Sequence, residues 1–337
     1  MSQVLQQLTI RSITVVLALA PGAWGLRGGT SGVSARIREA KSSHCEASGP
    51  HYCSKADQKL VLGTDLVNLT VTVVDAYGKF VPGLVRDNFQ IYDNEVKQEI
   101  SHFSDEDAPV SVGIVYDISR SMKDRMSQSQ RALKRFIDAT RPNDDFFLIT
   151  FNDRASLVQD FTGSGDRILD HLRSAKSRGS TALYDATYLA IEKIQQGRHP
   201  KRAILIISDG EDNKSRYTAR ELRSRVEEAD VVIYAIGLTD EFSKDSGAAE
   251  YGRFVLTEIT QTTGGLAFFP NAYHDEELAE ICAHIALELR KQYSIGFYPT
   301  NSTQDGKWHK LEVRLKAPRG VGRVLVNHRK GYKAQRQ

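Results

Sequence analysis

Three cysteines in 337 residues are too few for a disulfide-built scaffold, so a hydrophobic core must hold this chain together. There is no G-x-x-x-x-G-K-S or G-K-T phosphate loop, no H-E-x-x-H zinc helix and no G-x-S-x-G nucleophile turn. The nine histidines show no metal-ligand spacing. His171, beside Ile168 and Leu172, reads as a surface or boundary residue of a helix. No nucleic-acid-binding motif is present, and the formal net charge is only +3. Long apolar runs are also missing. The run Ile13 to Ala20 is too short to span a bilayer, and no other segment approaches that length.

That short run, behind Arg11 and followed by the small residues Ala23 and Gly25, is expected to be a signal peptide over 1–25. An uncleaved anchor or a misplaced start are the alternatives. Residues 26–58 are rich in glycine, serine and scattered charge without apolar periodicity, which predicts a flexible tether. Cys45 and Cys53 lie within it. Export favours a disulfide between them over a zinc site with His44 and His51, because the segment lacks a scaffold to orient four ligands. Cys282, on an apolar stripe with Leu278, Ile281, Ile285 and Leu289, reads as a buried, inert thiol.

The most informative stretch is Asp117-Ile118-Ser119-Arg120-Ser121, directly after the apolar run Val110 to Tyr116. A continuous run of this kind predicts a strand buried on both faces of a parallel sheet, with Asp117 at its carboxyl end, where ligands collect in open α/β sheets. One carboxylate and two hydroxyls make a hard-oxygen set suited to magnesium or manganese, but they do not fill an octahedral shell. Two further stretches can add to it. Gly179 to Asp185 reads as a turn opening a helix, with Thr181 at its start, and Ala203 to Gly210 reads as a second buried strand ending in Asp209. In the alternative reading, Ser119 and Ser121 cap a helix while Asp117 and Asp209 accept hydrogen bonds from strand-end amides.

These three segments resemble the von Willebrand factor type A domain, whose metal-ion-dependent adhesion site is written D-x-S-x-S, then a threonine, then an aspartate after a central strand. The matching positions are Asp117, Ser119, Ser121, Thr181 and Asp209. The resemblance implies a Mg2+ or Mn2+ ion held by these five residues. It also implies a protein partner that presents an Asp or Glu carboxylate to that ion. Many family members carry glycine where this chain has Arg120; a guanidinium there either repels the cation, helps select an acidic partner, or points to solvent.

Around this centre, alternating β and α patterns predict a doubly wound, mainly parallel sheet over 108–291. The flanks read differently. In 59–107, Val67, Leu69, Val71 and Val73 alternate with polar residues, as do Phe89 and Ile91; in 292–333 the same holds for Tyr293, Ile295 and Phe297, for Leu311, Val313 and Leu315, and for Val324 and Val326. Neither flank is long enough to bury a core alone, so the two are expected to form one small β-sandwich with the central domain inserted between its strands. This whole pattern, over about 61–333, resembles exported bacterial proteins described as von Willebrand factor type A-related.

Residues 301–337 carry ten Lys or Arg and two Asp or Glu. Lys310, Arg314 and Lys316 alternate with apolar residues as the wet face of a strand, where lysine discourages edge pairing, and this outweighs a nucleic-acid reading. The expectation is therefore an exported, non-enzymatic, metal-dependent protein-binding module without a transmembrane span. A structural envelope protein with a loop-stabilising metal is one alternative. A magnesium-dependent phosphate-ester hydrolase, with Asp212 as base, is the other.

Overall fold

The computed structural model describes residues 66–334 apart from 77, 239–246, 271–274, 301–305, 317 and 319–321. The expected signal peptide, the tether and the Cys45–Cys53 pair lie outside the described residues. Among the described residues no helix is long and apolar enough to cross a membrane.

The central sheet has six strands: β5 (Val110–Asp117), β6 (Asp145–Phe151), β7 (Ala155–Thr162), β8 (Lys201–Ser208), β9 (Val232–Gly237) and β10 (Ala267–Phe268), in the order β10-β9-β8-β5-β6-β7. All neighbours run parallel except β7, which returns antiparallel along the edge of β6. Every residue of β5 is buried, as its unbroken apolar run requires in the middle of a parallel sheet. Helices cover both faces. On one, Val112, Ile114 and Tyr116 pack with α1 (Met126–Asp138), α2 (Gly165–Arg173) and the last helix, α6 (Asp275–Arg290). On the other, Val115 packs with α3 (Leu183–Ile194), α4 (Ala219–Glu228) and α5 (Gly247–Thr263). Cys282 is buried in the first of these layers as a free thiol, and burial pushes it up to about 12, so it stays protonated and inert.

The flanks interleave. β1 (Val67–Asp75), β4 (Ile100–Ser104), β11 (Tyr293–Phe297) and β13 (Val324–His328) form one antiparallel sheet, ordered β13-β1-β11-β4. β2 (Phe89–Asp93), β3 (Val96–Gln98), β12 (Trp308–Leu315) and β14 (Gly331–Lys333) form the other, ordered β14-β12-β2-β3. Their apolar faces meet in one core that includes Leu69, Val71, Val73, Ile91, Tyr293, Phe297 and Leu311. Lys310, Arg314 and Lys316 are exposed as expected; Lys310 lies in the ladder to β14, whereas the stretch carrying Arg314 pairs with β2 alone. The pairing of β1 with β11 closes the chain over everything between them. Loop-closure entropy grows by only about 0.6 kcal/mol per doubling of loop length, whereas each buried Val, Ile or Phe contributes about 1.5–3 kcal/mol. A small sandwich core therefore tolerates a large insertion.

The seam between sandwich and central sheet contains two buried charged residues. Lys201, at the start of β8, donates from Nζ to the carbonyls of Glu106 at 2.8 Å, Gln292 at 3.3 Å and Arg290 at 3.4 Å, so one ammonium ties together both chain crossings. Desolvation holds its pKa below the usual lysine value. Glu288 of α6 is 3% exposed and lies beside the hydroxyls of Tyr234 on β9 and Thr72 on β1. Its carboxyl oxygens reach no hydrogen-bond geometry among the described residues, and its ion-pair neighbour is His284, at 3.8 Å. Burial pushes Glu288 up to about 7.

A carboxyl with a raised native pKa binds its proton better folded than unfolded. It therefore contributes stability below its unfolded pKa that is lost as pH rises through the folded value. Glu288→Gln is expected to match wild type in thermal melts near pH 4.5 and to exceed it at pH 8 by an amount on the order of 1–3 kcal/mol. Parallel melting curves at both pH values would reveal a neutral role for Glu288.

Candidate metal centre

The carboxyl end of β5 places Asp117 where no solvent reaches it. Its oxygens take what the chain offers: the Ser119 amide donates to Oδ1 at 2.7 Å and the Ser208 hydroxyl to Oδ2 at 2.7 Å. Ser208 ends β8, so this second bond joins the tips of two adjacent strands. Asp209 follows, also buried, with the Glu211 amide donating to its Oδ1 at 3.1 Å. Burial first, and the neighbouring Asp209 charge second, push Asp117 up to about 7. Burial and the same charge also raise Glu211. Two buried carboxylates are thus set side by side with donors too few to offset their repulsion.

Ser119 leads into a single 3-10 stretch, Arg120–Arg125, but its side chain caps no amide of that helix. Instead its Oγ lies 3.0 Å from Ser121 Oγ. The capping role is therefore not what the Ser119 hydroxyl does, while the aspartates do accept strand-end amides as the alternative reading expected. This loop is fastened to the one preceding α3. The Arg120 amide donates to the Gly179 carbonyl at 3.2 Å, the Arg178 amide to the Ile118 carbonyl at 2.9 Å, and the Ser177 hydroxyl to the Ser119 carbonyl at 2.6 Å. Gly179 has φ +82°, a left-handed conformation that side chains disfavour, and a Cβ there would strike Asp153. Arg120 itself is exposed.

Thr181 is buried two residues before α3 begins. Its amide donates to Asn213 Oδ1 at 2.9 Å, and its carbonyl accepts from the amides of Asn213 and Lys214, both at 3.0 Å. Asp212 accepts from the Tyr184 amide at 2.9 Å and from the Ser215 hydroxyl at 2.5 Å. Asp185 accepts from the amides of Arg216 and Tyr217. The turn carrying Thr181 and the loop following Asp209 therefore form one hydrogen-bonded unit. Asp212, the base candidate for a hydrolase, spends its carboxylate on that unit. Behind it, α5 crosses the Asp209 loop so closely that a Cβ on Gly252 would lie 2.8 Å from the Gly210 backbone, and Gly210 has φ +85°.

The sequence did not disclose Ser208, Ser177, Asn213 or Asp185 as participants. Each is a lone polar residue in a loop or element end, and its role depends on a partner tens of residues away.

Among the described residues no group of three or more His, Cys, Asp or Glu is placed to hold a metal. The set here is different in kind: two carboxylates with the hydroxyls of Ser119 and Ser121 between strand tips, and Thr181 fixed on the adjoining loop. Such donors fit a hard divalent cation, which would relieve the repulsion that raises Asp117.

Residues 112–211 match the family model described as von Willebrand factor type A domain. Over that segment the chain is similar to von Willebrand factor type A domains. The match ends two residues beyond Asp209 and so takes in the three segments just described. A protein of Borreliella burgdorferi whose own role is uncharacterized is 28% identical over 198 residues, covering 52% of this chain; the match spans 57% of that relative's length. Among solved structures, an aerotolerance-related membrane protein from Bacteroides fragilis is 22% identical with a TM-score of 0.44, covering 54% of this chain and 99% of its own. A von Willebrand factor type A protein from Catenulispora acidiphila is 13% identical with a TM-score of 0.46, covering 73% of this chain and 72% of its own.

The metal-free protein should gain from neutralising Asp117. Its carboxyl has a raised folded pKa, so its contribution to stability is present in acid and lost as pH rises towards 7. Asn at this position keeps an acceptor for the Ser119 amide. In chelator, Asp117→Asn is expected to melt several degrees above wild type at pH 8 and together with it near pH 4. A variant that melts lower at both pH values would show that the carboxylate is held by donors alone.

Proposed function

We propose that the protein is an exported, metal-dependent protein-binding module in which Asp117, Ser119, Ser121, Thr181 and Asp209 hold Mg2+ or Mn2+. A partner's Asp or Glu carboxylate completes the coordination. The observation that carries this reading is the buried pair Asp117 and Asp209 at adjacent strand tips, whose charges repel, with the Ser208 hydroxyl bonded to Asp117 and the Ser119 and Ser121 hydroxyls beside one another on the same loop. Two ionised carboxylates leave a divalent ion near neutral, still able to accept a third carboxylate from outside. Asp117 and Asp209 supply the charge, the hydroxyls supply neutral oxygens, and the Asn213 clamp fixes the segment from which Thr181 reaches in. Loops at the carboxyl ends of strands present this centre outward on a rigid sheet, the arrangement by which binding loops are commonly carried.

Export rests on the apolar stretch at 13–20. The non-enzymatic reading draws support from Asp212, the base candidate, whose oxygens accept from the Tyr184 amide and from the Ser215 hydroxyl and amide. One observation favours the loop-stabilising alternative: both Asp117 oxygens already bond within the protein, to Ser119 and Ser208.

Calorimetric titration with Mg2+ and with Mn2+, run beside Asp117→Ala, tests the proposal. One-site saturable binding is expected for wild type and none for the variant. Absence of binding in both would remove the metal from the proposal. Asn213→Ala separates the clamp from the ligands: metal affinity is expected to fall several-fold with the fold retained, as read by the same titration and by circular dichroism.

A further inference from the structure

The two loops fastened together at the metal centre carry an uneven charge. The segments 118–124 and 174–180 hold Arg120, Lys123, Lys176 and Arg178, all exposed, against the single acid Asp124. Some surface cations among the described residues are ion-paired, such as Arg173 with Asp170 and Arg223 with Glu258, whereas Arg120, Lys123, Lys176 and Arg178 are among those that are not.

The backbone of the two arginines is anchored. Arg120 donates its amide to Gly179 and Arg178 donates its amide to Ile118, so each arginine is anchored within two residues of the other's acceptor. Between them the Ser119 carbonyl takes the Ser177 hydroxyl. Ser119 and Ser121, the proposed hydroxyl ligands, flank Arg120 directly. Arg120 and Arg178 are thus carried on a pinned double loop near the carboxyl ends of β5 and β6, with the exposed Lys123 and Lys176 close to them in sequence. Asp153, across Gly179, accepts the Ser180 amide at 3.0 Å and adds one negative charge beside this loop.

We infer that Arg120, Lys123, Lys176 and Arg178 form a second, anion-binding subsite beside the metal. The partner is accordingly an acidic protein segment that presents one carboxylate to the ion and neighbouring carboxylates to these cations. The inference rests on the proposed metal-dependent binding for its first contact and adds the chemistry of the partner. Guanidinium is the side chain best suited to the task, because its planar fork grips a carboxylate with two parallel hydrogen bonds. Unpaired cations at the rim of an interface act chiefly on encounter rate and on the rejection of wrong partners, and their effect is screened by salt. The charge balance disfavours a basic or neutral partner.

The test uses the full chain with saturating Mg2+ and two fluorescently labelled peptides, a run of ten glutamates and a Gly-Ser peptide of equal length bearing one central glutamate. Anisotropy should show the polyglutamate binding at least about tenfold more tightly in 50 mM salt, with the advantage shrinking at 500 mM. In Arg120→Gln/Arg178→Gln, metal binding by calorimetry and the melting temperature should persist, while the preference for polyglutamate over the single-carboxylate peptide falls at least about fivefold. Equal affinity of the two peptides for wild type, or an unchanged preference in the double variant, overturns the inference. So does tight binding of a sulfated oligosaccharide together with failure of polyglutamate to bind. Failure of the metal reading looks different: polyglutamate would still bind in a salt-dependent, arginine-dependent way, but chelator and Asp117→Ala would leave that binding unaltered.

Discussion

A carboxylate at the end of a strand with no exposed face governs the architecture of this protein's functional end. Asp117 lies in the middle of a six-stranded sheet, between β8 and β6, with helices over both surfaces. Water cannot solvate it there, so its charge must be met by what converges on that point. The Ser119 amide and the Ser208 hydroxyl meet part of it, and Asp209 adds to the difficulty rather than relieving it. The surrounding loops are organised to hold that strained pair in place: one is pinned to Gly179, another is folded around Asp212 and Asp185, and both enclose Thr181.

Much of this was legible in the sequence because it is written in periodicity. β5 and β8 are continuous apolar runs, which only a strand buried on both faces explains, and each ends in its aspartate or one residue before it. The flanking strands β1, β2, β11, β12 and β13 alternate with period two, and their shared core follows from neither flank being large enough alone. Strands β3, β4 and β14 left no comparable trace. β3 and β14 have three residues each, and in β4 the spacing of Ile100 and Phe103 is out of step with period two, where the ladder to β11 carries a register shift at Gly296 and Phe297.

The centre was legible in its charged and hydroxylic residues and not in its supports. Spacing within a segment announces D-x-S-x-S, but nothing local to Asn213 says that its amide oxygen will hold Thr181, 32 residues earlier. Nor does Ser208 announce a bond to Asp117. Long-range polar pairs depend on strand order, and strand order is a property of the whole sheet. Asp212 shows the opposite error: its proximity to Asp209 in sequence suggested chemistry, whereas its oxygens brace a neighbouring helix.

The interleaving of the flanks also has a mechanical meaning. The first and last described strands both belong to the sandwich, and β1 is gripped on one side by β11 and on the other by β13. Tension applied between residues 66 and 334 is therefore carried across the sandwich ladders. The inserted domain, whose entry and exit are tied together at the Lys201 ammonium, is also bonded to the last strands, where Lys330 meets Thr262 and Lys333 meets Glu228. A pull between those residues loads the two β1 ladders and reaches the inserted domain through the bonds of Arg329, Lys330 and Lys333.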